Sequence, residues 1–272
     1  MPFVETKDLR MHYELDGPPN APALVFSNSL GTNLSLWDPQ LPVFTQTFRV
    51  LRYDSRGHGQ TSVTQGEYSV EMLGHDVLQL LDALNLKRVN FCGLSIGGMT
   101  GMWLAVNAPE RVENLVLSNT APKIGKLDVW NERIRAVREG GTKAVAKQVV
   151  ERWFTPEFHA THPDPVAKTR QMIEGSSTEG YAASCAAVRD FDFWEKVGAI
   201  RVRTLVIAGT HDASVPTADA QKLAKRIPAA RYIELSAAHI SNVQAANQFT
   251  DEVSAFLRKE PQWTNANGLK RG

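Results

Sequence analysis

Arg88-Val89-Asn90-Phe91-Cys92-Gly93-Leu94-Ser95-Ile96-Gly97-Gly98 is the stretch whose reading decides the architecture. Its first five residues form a β-rich run, and Gly98 to Asn107 reads as a helix, so a strand enters a turn and a helix leaves it. Gly93-Leu94-Ser95-Ile96-Gly97 matches G-x-S-x-G. In that pattern small residues flank a serine so that a strained strand-to-helix turn can lift its hydroxyl clear of the backbone. A Gly-rich turn without chemistry would carry the same letters, but the strand before it and the helix after it favour a nucleophile.

Outward from this turn, short β-rich runs alternate with longer amphipathic ones, the pattern of a mostly parallel sheet covered by helices. Eight strands are expected: Phe3 to Thr6, Arg10 to Leu15, Ala23 to Ser27, Phe48 to Tyr53, Arg88 to Cys92, Val112 to Ser118, Arg203 to Ala208 and Arg231 to Leu235. Val70, Leu73, Val77, Leu80, Leu81 and Leu84 fall on one helical face, with Ser69 as N-cap. A last helix should run through about Phe256 or Leu257. Between Pro122 and Ile200 strand signals vanish and several helices are expected, carrying Trp130, Trp153, Phe154 and Trp194. The chain therefore divides into a core of residues 1–121 and 201–260, a helical cap at 122–200, and a polar tail at 261–272.

Composition excludes several other classes. Lys+Arg of 30 against Asp+Glu of 29 leaves no electrostatic footprint for nucleic acid or a membrane surface. No stretch approaches the roughly 20 apolar residues of a membrane span, and the N-terminus lacks the basic and apolar regions of a secretory signal. Cys92 and Cys185, the two cysteines, suit free thiols in a reducing cytoplasm. With no C-x-x-C and no His-x-x-x-His, no metal or other cofactor is expected. The Gly-rich turn follows neither the G-x-G-x-x-G nor the Walker lysine pattern.

A serine hydroxyl needs a base to take its proton, and the base needs an acid to fix its tautomer. His239 is the candidate base, in the loop after the strand ending at Leu235. Asp212 is the candidate acid, in the loop after the strand ending at Ala208, where it could also serve as a turn residue. Asn119, after the strand ending at Ser118, cannot carry the charge that stabilises an imidazolium, and His211 shapes the acid's loop. His58, in the turn Asp54-Ser55-Arg56-Gly57-His58-Gly59, and His75, on a helix, read as structural. The oxyanion donors are expected to be the backbone N–H of Ile96 and that of Leu30, in Asn28-Ser29-Leu30-Gly31-Thr32.

Asn28-Ser29-Leu30-Gly31, Asp54 to Gly59, Gly93 to Gly98 and Ala238-His239 together resemble the α/β-hydrolases, up to about Lys259. Trp130-Asn131-Glu132-Arg133, Arg152-Trp153-Phe154 and Gly180 to Ala187 narrow the likeness to the 3-oxoadipate enol-lactonases. The resemblance implies an α/β-hydrolase fold with an inserted helical cap. It also implies, as substrate, a small carboxylate-bearing lactone from bacterial aromatic breakdown. Arg in a partly desolvated cap suits such a carboxylate, and Arg133 is the first choice, three residues after Trp130 on one helical face. A solvated Arg133, and Trp130 and Trp153 as core, are the competing readings. A carboxylesterase, a carbon-carbon bond hydrolase, a perhydrolase or a non-catalytic receptor could keep the same triad. Ser95 argues against epoxide hydrolases and dehalogenases, for which an Asp is expected there.

Overall fold

The computed structural model describes residues 2–258, apart from Lys7 and Ala229. The proposed polar tail at 261–272 lies outside the described residues. The strands are β1 Phe3–Glu5, β2 Arg10–Asp16, β3 Ala23–Ser27, β4 Arg49–Tyr53, β5 Val89–Leu94, β6 Val112–Ser118, β7 Arg203–Gly209 and β8 Arg231–Leu235. They form one sheet in the order β1-β2-β4-β3-β5-β6-β7-β8. β1 and β2 pair antiparallel, as do β2 and β4, and from β4 to β8 all pairs are parallel. Every residue of β3 and β5 is buried. Burial on both faces is why these strands read as near-continuous apolar runs rather than alternating ones.

Register brings the strand ends together. Ser27 pairs with Gly93, Leu94 with Ser118, Ser118 with Ile207 and Gly209 with Leu235. The chain passes from β3 outward to β4, then returns to the other side of β3 as β5, so the strand order reverses between β3 and β5. In open α/β sheets a crevice forms at the carboxyl ends of the strands at such a point. The loops after β3, β5, β6, β7 and β8 all open on this one end of the sheet.

The helix Val70–Ala83 begins where expected, with the Ser69 hydroxyl accepting from Met72 N at 3.1 Å. Strand β5 continues through Gly93 and Leu94, two residues beyond the sequence reading, because both remain paired to β6. The 3-10 turn Leu34–Gln40 has no counterpart in the sequence reading, since a run of i,i+3 turns leaves no 3.6-residue periodicity. It buries Trp37, which stacks on Phe26 at 4.5 Å between ring centroids and donates from Nε1 to Asn28 Oδ1 at 2.9 Å.

Between β6 and β7 lie five α-helices, Leu127–Gly140, Lys143–Trp153, Pro156–Thr161, Pro163–Glu174 and Thr178–Asp190. They carry their own buried side chains, including Ile134, Val149, Ile173 and Tyr181. No helix among the described residues is long and apolar enough to cross a membrane. The helices Val70–Ala83 and Ile96–Asn107 meet at Gly74, where a Cβ would run into the Trp103 indole. Gly74→Ala is therefore expected to destabilise the fold by about 1–3 kcal/mol through overpacking, read from the midpoint shift in urea unfolding.

Candidate active site

Ser95 sits at the junction of β5 and the helix Ile96–Asn107 with φ 57° and ψ −117°, a left-handed backbone unusual for a side chain of this kind. The surrounding glycines make that geometry possible. A Cβ at Gly93 would strike the Gly97 carbonyl, one at Gly97 would strike the Ser27 carbonyl, and one at Gly98 would lie against Thr120. The turn is pinned by Ser95 N donating to Ser118 O at 3.0 Å and by Thr120 Oγ1 donating to Ser95 O at 2.7 Å. Local sterics and two bonds to the end of β6 thus hold the hydroxyl-bearing residue in a strained pose.

Asp212 and His239 come together as the sequence expects, with His239 Nδ1 and Asp212 Oδ2 2.9 Å apart. The competing reading of Asp212 as a turn residue is satisfied at the same time by its other oxygen. Oδ1 accepts from Ser214 N at 2.8 Å and Val215 N at 3.0 Å, which shapes the loop and leaves Oδ2 for the imidazole. Ser95, Asp212 and His239 are 8%, 7% and 2% exposed, so the site is shielded from bulk water. Burial alone would raise the Asp212 pKa. The charge and hydrogen bond of His239, with the Val215 amide and Asn119 amide, outweigh it and hold the carboxyl below its ordinary value. His211 is exposed, and its backbone N–H donates to Ala237 O at 3.0 Å, joining the acid's loop to the histidine's loop.

Asn119 is a functional position the sequence reading passed over. Held at φ 47°, it donates from Nδ2 to Asp212 Oδ2 and to Ala238 O, both at 3.1 Å. Its Oδ1 accepts from Ser241 Oγ at 2.6 Å and Ser118 Oγ at 2.8 Å. One amide thereby ties the ends of β6, β7 and β8 together around the Asp212–His239 pair. The signal available in sequence was the polar triplet Ser118-Asn119-Thr120 at a strand's carboxyl end, which a search for negative charge ignores. Gln244 is a second such residue: its Oε1 accepts from Ala238 N at 3.1 Å and Thr155 N at 3.2 Å, bridging the histidine loop to the helical segment.

The amides of Leu30 and Ile96 have no hydrogen-bond partner among the described residues. Ile96 is the first residue of its helix, where an N–H is free by construction. Leu30 lies in the loop after β3, the strand beside β5, so both free donors belong to the same end of the sheet.

The helical segment between β6 and β7 lies over these strand ends. Trp153 stands 5.6 Å from His239 between ring centroids, and Ile240 N donates to Trp153 O at 3.2 Å. Trp130 is buried and anchored by Nε1 donating to Ile124 O at 2.7 Å, with the Arg133 guanidinium 4.7 Å above its ring. Arg133 is half-buried and has no carboxylate partner among the described residues. Its charge reaches Tyr181 and Cys185, countering the burial that raises both, the thiol to about 12. Partial desolvation, then the charge of Arg133, lowers the Arg152 guanidinium. The cap thus holds an unneutralised cation beside an apolar wall.

A family model described as the alpha/beta hydrolase fold matches residues 22–246. The chain belongs to the α/β-hydrolase family. It is 41% identical to 3-oxoadipate enol-lactonase 2 of Acinetobacter baylyi, over 94% of this chain and 96% of that one. It is 36% identical to 3-oxoadipate enol-lactonase 1 of the same organism, over 90% and 92%. The crystal structure of the enol-lactonase from Burkholderia xenovorans LB400 superimposes with a TM-score of 0.93 at 44% identity, covering 94% of this chain and 99% of that one.

The depressed pKa of Asp212 has a stability consequence of definite sign. Its contribution is present above the unfolded value of about 3.9 and is lost as pH falls through the lower folded value. Asp212→Asn should therefore lower Tm relative to the parent near neutral pH. That gap should begin to narrow as pH falls below about 4, where the unfolded carboxyl takes up a proton, and close only below the lower folded value; a gap independent of pH would refute the linkage.

Proposed function

We propose that the protein hydrolyses 3-oxoadipate enol-lactone to 3-oxoadipate, a step in the breakdown of aromatic compounds, with Ser95, His239 and Asp212 as catalytic triad. The observation that carries the reading is the buried Asp212–His239 bond at the strand ends that also bear Ser95 on its strained turn. Identity of 41% and 44% to enol-lactonases over nearly the whole chain supports the choice of substrate.

In this reading Ser95 Oγ attacks the lactone carbonyl while His239 Nε2 takes its proton. Asp212, held by four hydrogen bonds, fixes the Nδ1–H tautomer and offsets the imidazolium charge. The tetrahedral oxyanion meets the free amides of Leu30 and Ile96, each such donor being worth about 3 to 4 kcal/mol of barrier. Collapse breaks the ring C–O bond, and His239 returns the proton to the departing enol oxygen. That oxygen remains tethered to the acyl group, so ring re-closure competes until the enol becomes a ketone. Water, deprotonated by His239, then attacks the acyl-enzyme, and cleavage of the Ser95 ester frees the second carboxylate.

Arg133 is assigned to the substrate's carboxymethyl arm. A guanidinium with no carboxylate partner among the described residues, beside Trp130, offers paired hydrogen bonds to a carboxylate, and partial burial strengthens them. Trp153, against His239, forms the apolar wall nearest the reacting atoms.

The deciding experiment compares kcat/KM of the purified protein on 3-oxoadipate enol-lactone and on a neutral p-nitrophenyl ester. A large preference for the lactone is expected, and a preference for the neutral ester would discard the substrate. Ser95→Ala should abolish turnover of both without changing Tm by more than a few degrees; retained hydrolysis would refute the mechanism. Arg133→Ala should raise KM for the lactone much more than for the neutral ester, and an equal effect on both would remove its assigned role.

A further inference from the structure

His58, read from sequence as structural, makes a contact that reaches the chemistry. Its Nε2 accepts the backbone N–H of Gly31 at 2.8 Å, and its Nδ1 lies 3.2 Å from Arg56 O. An amide can only donate and a carbonyl can only accept. The ring is therefore neutral, with the proton on Nδ1 and a lone pair on Nε2. Burial, which disfavours the charged ring, lowers its pKa against the opposing pull of Arg56 O and Asp54.

Gly31 immediately follows Leu30. With Gly31 N committed to His58, the peptide plane between residues 30 and 31 is fixed, and the free Leu30 N–H is carried on the adjoining plane. The rest of the loop is bound as tightly. Asn28 Nδ2 donates to Tyr53 O at 2.7 Å, Thr32 N donates to Ser29 O at 3.2 Å, and Ser176 Oγ donates to Gly31 O at 3.1 Å. The turn that carries His58 is itself anchored: Arg56 Nε donates to Asp76 Oδ2 at 2.8 Å, and Gln60 N donates to Asp54 Oδ2 at 2.8 Å. Asp54 Oδ1 accepts from Leu34 N at 2.8 Å, just downstream of the same loop. The turn at 54–61 is thus a rigid bracket, and among the described residues His58 is the side chain by which it holds Gly31.

We infer that His58 is a positioning residue for the oxyanion donor at Leu30: its Nε2 lone pair holds the Gly31 amide and so aims the neighbouring N–H at the developing oxyanion. The inference rests on the hydrolytic reading above. A donor that acts only when the carbonyl oxygen becomes charged stabilises the transition state more than bound substrate, so its misalignment costs kcat rather than KM.

Two conservative variants separate this role from simple packing. In His58→Asn the side-chain amide can still donate to Arg56 O but is too short to accept from Gly31. In His58→Gln a carbonyl oxygen reaches about where Nε2 lies. Removing an oxyanion donor costs about 10²–10³ in kcat, and loosening one is expected to cost about 10- to 100-fold. His58→Asn should therefore lose that factor in kcat with KM changed less than about threefold. It should also lose a similar factor in affinity for an alkyl boronic acid, whose tetrahedral serine adduct occupies the same donors. His58→Gln should recover kcat to within about tenfold of the parent. Parent-like kcat in His58→Asn, or equal losses in both variants with boronate affinity unchanged, would overturn the assignment. If Ser95→Ala still hydrolyses the lactone, the hydrolytic reading itself has failed, an outcome distinct from either.

Discussion

The left-handed backbone of Ser95 is the constraint on which the site depends. A non-glycine residue held in such a region costs of order 1–3 kcal/mol and persists only where its surroundings over-determine it. Here they do so from three directions: the Gly93 and Gly97 backbones approach too closely to admit a Cβ, Ser118 O takes the Ser95 amide, and Thr120 supplies a hydroxyl to the Ser95 carbonyl. Because two of these partners sit at the end of β6, the strain at β5 is supported by its neighbour strand. The same strand end continues into Asn119, which organises the acid and the base. Strain at Ser95 and order at the Asp212–His239 pair are therefore both supported by one short segment, Ser118 to Thr120.

That segment also helps His239 and the loop amides keep Asp212 charged despite burial. An isolated buried carboxylate would be expected to neutralise. Asp212 instead accepts from two loop amides, the Asn119 side chain and the His239 ring, so each oxygen has two partners. The arrangement uses a neutral amide where another carboxylate would have pushed the Asp212 pKa upward. Asn119 therefore contributes through the property for which it seemed unsuited, its lack of charge.

What was legible in the sequence is what depends on neighbours along the chain. Gly93, Ser95 and Gly97 announce themselves because the sterics of the turn are local, the apolar face of Val70–Ala83 follows from periodicity, and β3, β5 and β6 follow from short, near-continuous apolar runs. Asp212 and His239 were found by their order after successive strands. Partners drawn from distant segments were invisible. Asn119 meets Asp212 across 93 positions, Gly31 meets His58 across 27, and Gln244 meets Thr155 across 89. None of these residues has a spacing or a charge that marks it, and each is defined only by the register of the sheet and the path of the segment between β6 and β7. The 3-10 turn at Leu34–Gln40 was missed for a different reason, the absence of any usable period.

The loop after β3 shows how these levels meet. Gly31 adopts φ 77°, and a Cβ there would collide with the Tyr181 ring, so the loop can turn only because the residue has no side chain. Tyr181 belongs to the helix Thr178–Asp190, whose Gly180 lies equally close to Gly57 in the turn that carries His58. Arg133, on the helix Leu127–Gly140, is near enough to Tyr181 for its charge and hydrogen bond to counter part of the burial that raises the phenol. Neighbouring groups therefore run from Arg133, through Tyr181, to the loop that carries Leu30. Packed interiors yield little to small displacements, so Tyr181 cannot shift without loading the Gly31 turn.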